Sequence, residues 1–465
     1  MIHSALFEPR LPESGGPLLA ALRSRPGILL VAGRYRAEDP YVELGVKRAL
    51  ESRGFRVSLA LPSRAMNAAG FLPEILDDPV FRKEQAILLN GAWDFQQAMR
   101  GCRLVLFSSW KGQAPLADLA HREGRLTMDF SAMTGLDHLV VGHELSLAKS
   151  PIVRRMCLAS HTMSGYRQLP EERLRVVGSV LYEDPEKLAF REGLGERSAF
   201  CQRYGMDPAR PIVVLFPKGV VSFRKKCRIW FADWSEAQVE AYHRWYLERQ
   251  VAICEVIRQS GCNPLVKLHP SSYAAYWGKT DAEYAYWQAH PWIPILIDRH
   301  TLAMFRHMDL GVGINTHSAM DAAYFGKPFL YVDSDLAPPP PLPGFHASEQ
   351  FSALPPGPSS QWHAPPEHSP NPWFSSWLGG FCRLEELAGR LRDPAVYRVD
   401  PEHLAMVIGE FWYRNDGHSA GRIVEEVCQA WRGSDKTGWR RWRTLAAWRG
   451  LYQDGKGWLA RWLRG

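Results

Sequence analysis

The sequence lacks the features that would place the protein within a membrane or outside the cell. It contains no run of eighteen apolar residues, and a helix needs about that length to span a bilayer. Its opening stretch, MIHSALFEPRLPESGG, contains no basic flank followed by an apolar segment, the pattern typical of a secretory signal. We therefore expect a cytoplasmic protein.

Clusters of metal-binding side chains are also missing. The eight cysteines are scattered along the 465 residues without a CxxC pair or a Cys/His group at zinc spacing. That distribution is typical of reduced thiols in the cytoplasm. The sequence thus predicts neither disulfides nor a structural metal site.

A broad positive surface is absent from most of the chain. The sequence has 56 Lys and Arg and 49 Asp and Glu, of which eight basic residues and one acidic residue lie in 436–465, leaving 48 of each sign elsewhere. Binding nucleic acid requires basic residues spread along a face, so no nucleic-acid partner is expected. The basic tail 436–465 also holds five Trp. Such a segment suits the anionic inner leaflet of a membrane, with docking on the protein itself as the alternative.

Short apolar runs alternate with amphipathic stretches along the chain, which predicts an α/β protein with parallel sheets. The first set of predicted strands covers 27–33, 55–61, 102–109, 125–130, 154–160 and 174–179. The second set covers 211–217, 263–268, 293–297, 309–314 and 328–333. Two successive Rossmann-like domains are therefore expected, as the chain length allows.

We predict the following division of the chain. Residues 1–180 form an N-terminal Rossmann-like domain, and 181–210 form a linker. Residues 211–400 form a C-terminal Rossmann-like domain that includes a Pro-rich loop at 337–372. Residues 401–465 supply C-terminal helices and the basic amphipathic tail.

Polar residues follow two predicted strands of the second domain, and ligands bind at the carboxyl ends of such strands. The first strand runs into Lys267, His269 and Pro270 within VKLHP, and the second runs into GINTHSAMDAAYFGKP at 313–328. A helix amino terminus after the second strand favours a phosphate. The polar side chains at this amino terminus are those of Asn315, Thr316, His317 and Ser318. The alternatives are a strand-ending His269 without a ligand, and a helix cap formed by Ser318 with Asp321.

The order His-Pro, then Ser-x-x-Asp-x-x-x-x-Gly-Lys-Pro, resembles the GT-B glycosyltransferases of bacterial surface-polysaccharide biosynthesis. The resemblance is to the CMP-sugar-dependent transferases of the β-Kdo and sialyl type, and also to teichoic-acid polymerases that use CDP-glycerol. It implies that His269 and Ser318 contact the donor phosphate and that Asp321 holds the ribose. It further implies that an acceptor-binding domain, 1–180, faces a nucleotide-sugar-binding domain, 211–400, across a cleft. The implied enzyme is metal-independent and has no cofactor other than its nucleotide-sugar donor.

The same resemblance implies a carboxylate near the anomeric centre, some tens of residues before the His-Pro pair. Asp233 lies 36 residues before His269, and Glu236 is the alternative. A helix N-cap is the competing role of Asp233. Nearby Lys218 could bind a polyanionic ligand or belong to a solvated basic loop.

Two carboxylates follow the first predicted strand, Glu38 and Asp39. An inverting transferase needs a general base on its acceptor side, and this loop could supply it, the alternative being Asp39 as an N-cap before Pro40. Asp129, after another strand, could help to shape the acceptor pocket. The acceptor is expected to be a glycan. If the tail 436–465 binds the membrane, the glycan is expected to be linked to a lipid.

Overall fold

The computed structural model describes most of two α/β domains. The described residues are 27–33, 42–66, 71, 73–108, 114–130, 145–148, 150–151, 154, 171–183, 195–217, 234–268, 282–296, 301–313, 318–332 and 379–433. The Pro-rich loop at 337–372 and the tail 436–465 therefore lie outside the described residues. No helix in the described ranges is long and apolar enough to cross a membrane.

The first domain is built on a parallel sheet. Its strands are β1 (Gly27–Val31), β2 (Arg56–Pro62), β3 (Ile87–Leu89), β4 (Cys102–Ser108), β5 (Leu126–Phe130), β6 (Leu145–Ala148) and β7 (Leu174–Val176). They are ordered β3-β2-β1-β4-β5-β6-β7, and each neighbouring pair is parallel. The helices are α1 (Val42–Ser52), α2 (Pro79–Lys83), α3 (Ala92–Ala98) and α4 (Ala114–Arg122), with a 3-10 turn at Pro73–Asp77.

Strand β1 shows why these apolar runs form a central sheet. All its residues are buried, as expected of a parallel strand covered on both faces. Ile28 and Leu30 belong to one hydrophobic core, whereas Leu29 and Val31 belong to the core on the other face. This alternation follows from the two-residue period of a strand.

The second domain repeats the topology. Its strands are β8 (Ile212–Leu215), β9 (Asn263–Lys267), β10 (Ile295–Leu296), β11 (Leu310–Gly313), β12 (Phe329–Val332) and β13 (Gly379–Cys382). They are ordered β10-β9-β8-β11-β12-β13 and all pairs are parallel. The helices are α5 (Arg197–Arg203), α6 (Glu236–Gln259), α7 (Ala282–Gln288), α8 (Thr301–His307), α9 (Ser318–Tyr324), α10 (Leu384–Arg392), α11 (Pro401–Val407) and α12 (Ser419–Gly433). Shorter turns lie at Pro394–Tyr397 and, in π form, at Ile408–Trp412.

Helix α12 returns from the second domain to the first. The Trp431 ring lies edge-on to Phe55, with 5.4 Å between the ring centroids, and the Arg103 guanidinium lies over its face at 4.9 Å. At the other end of the helix, Arg422 Nε donates to the Val177 carbonyl at 2.6 Å. The main-chain N–H of Ser419 donates to Glu183 Oε2 at 2.8 Å. The two domains are thus joined by packing as well as by the chain.

The α/β class and the two parallel sheets predicted from the sequence are confirmed. Strands β3, β6 and β13 were not predicted. On the side away from β4, strand β5 pairs with β6. The strand predicted at 154–160 cannot be compared with this arrangement, because only Arg154 of that range is described. The domain boundaries at 180, 210 and 400 stay predictions.

Candidate functional site

Each sheet has a point where the strand order reverses, between β1 and β4 in the first and between β8 and β11 in the second. Open α/β sheets bind their ligands in the crevice at the carboxyl ends of the strands beside such a point. A ligand site is therefore expected among the residues at the carboxyl ends of the strands near these two points, together with the side chains that pack against them.

Strands β9 and β11 end at the same height on the second sheet. Val266 of β9 and Val312 of β11 both pair with Leu215 of the intervening strand β8. The next residues, Lys267 and Gly313, are consequently level, and two strand spacings of ~4.8 Å separate them. Groups that follow these two strands lie within reach of one small ligand.

Helix α9 brings Ser318 and Asp321 together at this edge. The helix begins at Ser318, shortly after Gly313, and Asp321 stands in its first turn. Residues three apart share one helix face, and the amino end of a helix favours the carboxylate. The helix is also anchored by Trp412, whose indole N–H donates to the Met320 carbonyl at 2.9 Å. Ser318 and Asp321 remain partly exposed.

Lys267 is buried at the end of β9. Its ammonium donates to the carbonyl of Leu268 at 2.8 Å. This bond fixes the main chain immediately before His269. The role of Lys267 as a nucleotide ligand stays a prediction.

The start of helix α6 corrects one interpretation of Asp233. The N-cap is Ser235, whose hydroxyl accepts from the Gln238 N–H while the Gln238 side chain accepts from the Ser235 N–H at 2.9 Å. Asp233 as the N-cap of this helix is therefore wrong. Glu236 is the first residue of the helix and is exposed, so the helix dipole accounts for its position.

A buried carboxyl group lies at the corresponding edge of the first sheet. The Gly33 N–H, just after β1, donates to Glu43 Oε1 at 3.0 Å, and the Ser108 side chain at the end of β4 forms a second hydrogen bond. A Cβ on Gly33 would lie 3.0 Å from the Ser108 carbonyl oxygen, a tight contact that glycine avoids. Glu43 therefore ties the ends of β1 and β4 together. Glu43 was not predicted from the sequence, although its place in the first turn of α1 was a usable signal.

Burial raises the pKa of Glu43 above its ordinary value of 4.5, and the hydrogen bonds from Gly33 and Ser108 offset only part of that rise. A raised pKa means that the folded protein disfavours the ionised carboxylate. Protonated Glu43 therefore stabilises the folded protein. This contribution to stability is fully present below pH ~4.5, and it is lost as the pH rises through the folded-state pKa of Glu43.

We expect Glu43→Gln to remove this pH dependence while keeping the acceptor for the Gly33 N–H. The free energy of unfolding of the variant should exceed that of the parent by a margin that grows from pH ~4.5 upward and then levels off. Urea unfolding at several pH values measures the margin, with the exposed Glu74→Gln as control. A margin that does not change with pH would contradict the assignment.

Asp129 lies at the carboxyl-terminal part of β5, where the sequence predicts a contribution to the acceptor pocket. It is fully buried on β5, opposite Ser146 of β6. The predicted role of Asp129 in shaping an acceptor pocket stays a prediction.

Several predicted site residues lie outside the described residues. They are Glu38, Asp39, Lys218, Asp233, His269, Pro270, Asn315, Thr316 and His317. Their roles stay predictions. Their places in the chain are nevertheless informative, because His269 directly follows Leu268 at the end of β9 and residues 315–317 directly precede α9.

The cysteines in the described ranges do not form a reactive thiol site. None of the cysteines in those ranges forms a disulfide, and burial raises the pKa of Cys102 and of Cys254. A raised pKa keeps a thiol protonated and a poor nucleophile.

No family model matches this sequence, and no curated protein matches it. The structure is similar to that of the wall teichoic acid polymerase TagF, with a TM-score of 0.51 and 10% identity over 88% of this chain and 90% of that one. It is also similar to MnaA of S. aureus in a structure with UDP (TM-score 0.49, 12% identity, 86% and 96% covered). The UDP-GlcNAc 2-epimerase of Neisseria meningitidis, bound to UDP-GlcNAc, gives a TM-score of 0.47 at 11% identity over 87% and 100%.

At these identities the similarity concerns the fold alone. The two Rossmann-like domains and their strand order are those of the GT-B fold, which confirms the fold class expected from the sequence.

Proposed function

We propose that the chain is a glycosyltransferase that moves a CMP-activated acidic sugar, of the Kdo or nonulosonate type, onto a surface glycan such as capsule or O-antigen. The observation that carries the proposal is the arrangement at the carboxyl edge of the second sheet. Ser318 and Asp321 share one face of α9, and α9 follows a strand that ends level with Lys267.

This arrangement supports the binding of a nucleotide. The amino end of α9 carries partial positive charge and attracts a phosphate, and the Ser318 hydroxyl can donate to it. Asp321, one turn further along, can accept hydrogen bonds from ribose hydroxyls. In this proposal His269 and Pro270 complete the phosphate site from the end of β9, while Asn315, Thr316, His317 and Lys218 surround the donor.

Catalysis is proposed to use carboxylates on both sides of the donor. Asp233 stabilises positive charge developing at the anomeric carbon, with Glu236 as the alternative. On the acceptor side, Glu38 or Asp39 removes the proton from the attacking hydroxyl. Glu43 acts as a positioning residue there, because it holds the end of β1 from which that loop departs.

A second candidate is a phosphotransferase that uses CDP-glycerol or CDP-ribitol. The fold similarity to a wall teichoic acid polymerase favours it. Both activities release CMP, but only the phosphotransferase also moves phosphorus onto the acceptor. A radiolabelled donor phosphate would therefore separate them. A scaffold that binds nucleotide or glycan without catalysis is the remaining alternative.

The proposed place of action is the cytoplasmic face of the inner membrane. The tail 436–465, with five Trp and eight Lys or Arg, would bind the anionic leaflet and bring the enzyme to a lipid-linked acceptor. This part of the proposal rests on the sequence alone.

We expect CMP or CDP, and not UDP or GDP, to raise the thermal midpoint of the purified protein. A ligand that binds only the folded state stabilises it by about 2.7 kcal/mol at a hundredfold excess over its Kd. Ser318→Ala should reduce this shift, since the phosphate loses a hydrogen-bond donor, whereas the exposed Ser52→Ala on α1 should not. A shift with UDP alone would contradict the donor assignment, and an unchanged shift in Ser318→Ala would place the nucleotide elsewhere.

A further inference from the structure

The second sheet has a pocket at its amino edge, opposite the edge that carries Ser318. Its floor is formed by the residues just before three neighbouring strands, namely Pro211 before β8, Asp309 before β11 and Pro328 before β12. The pocket has a volume of about 440 Å³, within the range of small-molecule sites. Strand β8, of four residues, spans ~13 Å between the two edges.

Arg197 and Asp309 form the frame of this pocket. Arg197 Nη2 donates to Asp309 Oδ2 at 2.7 Å, and the same carboxylate oxygen accepts from the Ile212 N–H at 2.7 Å. The guanidinium also donates to the carbonyls of His307 and Arg210 at 2.8 Å each. The charge of Asp309 is therefore already balanced by Arg197 and held by the main chain.

Two further cations, Lys327 and Arg210, line the pocket, and their positive charge is less fully balanced by carboxylates. The Lys327 ammonium donates to the Arg306 carbonyl at 3.0 Å, and in the described part of the chain no carboxylate forms an ion pair with it. Burial lowers the pKa of Lys327; Asp309 opposes this effect and Arg197 adds to it. Arg210 contacts Asp207 through Nε at 3.1 Å, which leaves its two terminal nitrogens available to a ligand.

The walls of the pocket are rigid. Pro208, Pro211 and Pro328 have fixed φ angles, and the Tyr397 hydroxyl is held by a hydrogen bond to the Leu391 carbonyl at 3.0 Å. A preformed site loses little conformational entropy when a ligand binds. The pocket therefore combines excess positive charge with a fixed shape and with proline and tyrosine rings in its lining.

We propose that this pocket binds the phosphate group of a small phosphorylated molecule, with Lys327 and Arg210 as the phosphate ligands and the proline and tyrosine walls against the rest of the molecule. The site is distinct from the proposed donor site, because the two lie at opposite edges of the same sheet. It does not depend on the proposed glycosyl transfer.

Isothermal titration of the purified chain with inorganic phosphate and with glycerol phosphate tests the proposal, at an ionic strength kept constant with sodium chloride. We expect Lys327→Gln and Arg210→Gln each to weaken phosphate binding roughly tenfold or more, as the loss of a charge-assisted hydrogen bond implies. Lys83→Gln removes an exposed cation from the first domain and should leave the affinity unchanged. Glycerol phosphate should bind at least as tightly as phosphate itself.

Saturating CMP separates this site from the donor site. Phosphate binding that persists with CMP present and is lost in the two pocket variants supports the proposal. Phosphate binding that CMP abolishes and that the pocket variants retain belongs to the donor site and overturns it. An absence of measurable binding beyond the sodium chloride control overturns it as well. Circular dichroism of each variant establishes that it is folded.

Discussion

Asp233→Asn is expected to lower glycosyl transfer by roughly a hundredfold or more, the loss typical of removing a group that stabilises charge in the transition state. Asparagine keeps the shape and polarity of the side chain and removes only its charge. Nucleotide affinity should change little, because the proposed phosphate and ribose contacts lie on other segments. Turnover with a CMP-sugar donor and a synthetic glycan acceptor measures the first effect, and a CMP titration measures the second.

The neighbouring carboxylates provide the controls for Asp233→Asn. Because Ser235 caps helix α6, a loss of activity in this variant cannot be explained by the loss of that cap. Near-parental turnover in Asp233→Asn together with a collapse in Glu236→Gln would assign the role to Glu236. A collapse confined to Asp39→Asn would instead point to a base in the first domain.

Gly178→Ala is expected to destabilise the protein by about 3 kcal/mol, through backbone strain and through overpacking against α12. Gly178 has a φ of +92°, and an added Cβ would overlap the Ser419 side chain at the start of α12. That serine hydroxyl is held by Glu183 Oε1 at 2.7 Å and cannot move without breaking the hydrogen bond. The free energy of unfolding measured in urea tests the expectation.

Gly54→Ala is the matched control for Gly178→Ala. Gly54 has a nearly identical φ of +90°, but an added Cβ would meet no atom within 4 Å. Its substitution should therefore show the backbone cost alone, about 1 kcal/mol. Equal losses of stability in the two variants would mean that the contact of α12 with the segment after β7 contributes little.

The strands that form the centres of the two sheets could be predicted from the sequence because each is a continuous apolar run between polar loops. β8 and β11 are examples, and every residue of both is buried. The strands that were missed lack this signal. β3 is a short edge strand of three residues, β6 contains Ser146 in a run of four, and β13 begins with two glycines.

The candidate site could be predicted only in part, because much of it depends on contacts between distant segments. The motif around Ser318 predicted a helix with polar residues at its start, and α9 has that form. The N-cap of α6 had a readable signal in Ser235 and Gln238, the spacing of a capping box. By contrast, the burial of Glu43 depends on Gly33 and Ser108, and the Arg197 to Asp309 pair joins residues 112 apart in the chain.

Hydrogen–deuterium exchange in the presence of CMP tests most directly where the donor nucleotide binds. Saturating CMP should slow exchange in the peptides that cover 263–268 and 310–324, at the carboxyl edge of the second sheet, and should leave 27–31 in the first sheet unchanged. Ser318→Ala should weaken that protection. Protection confined to the first domain, or none with CMP where UDP protects, would contradict the account.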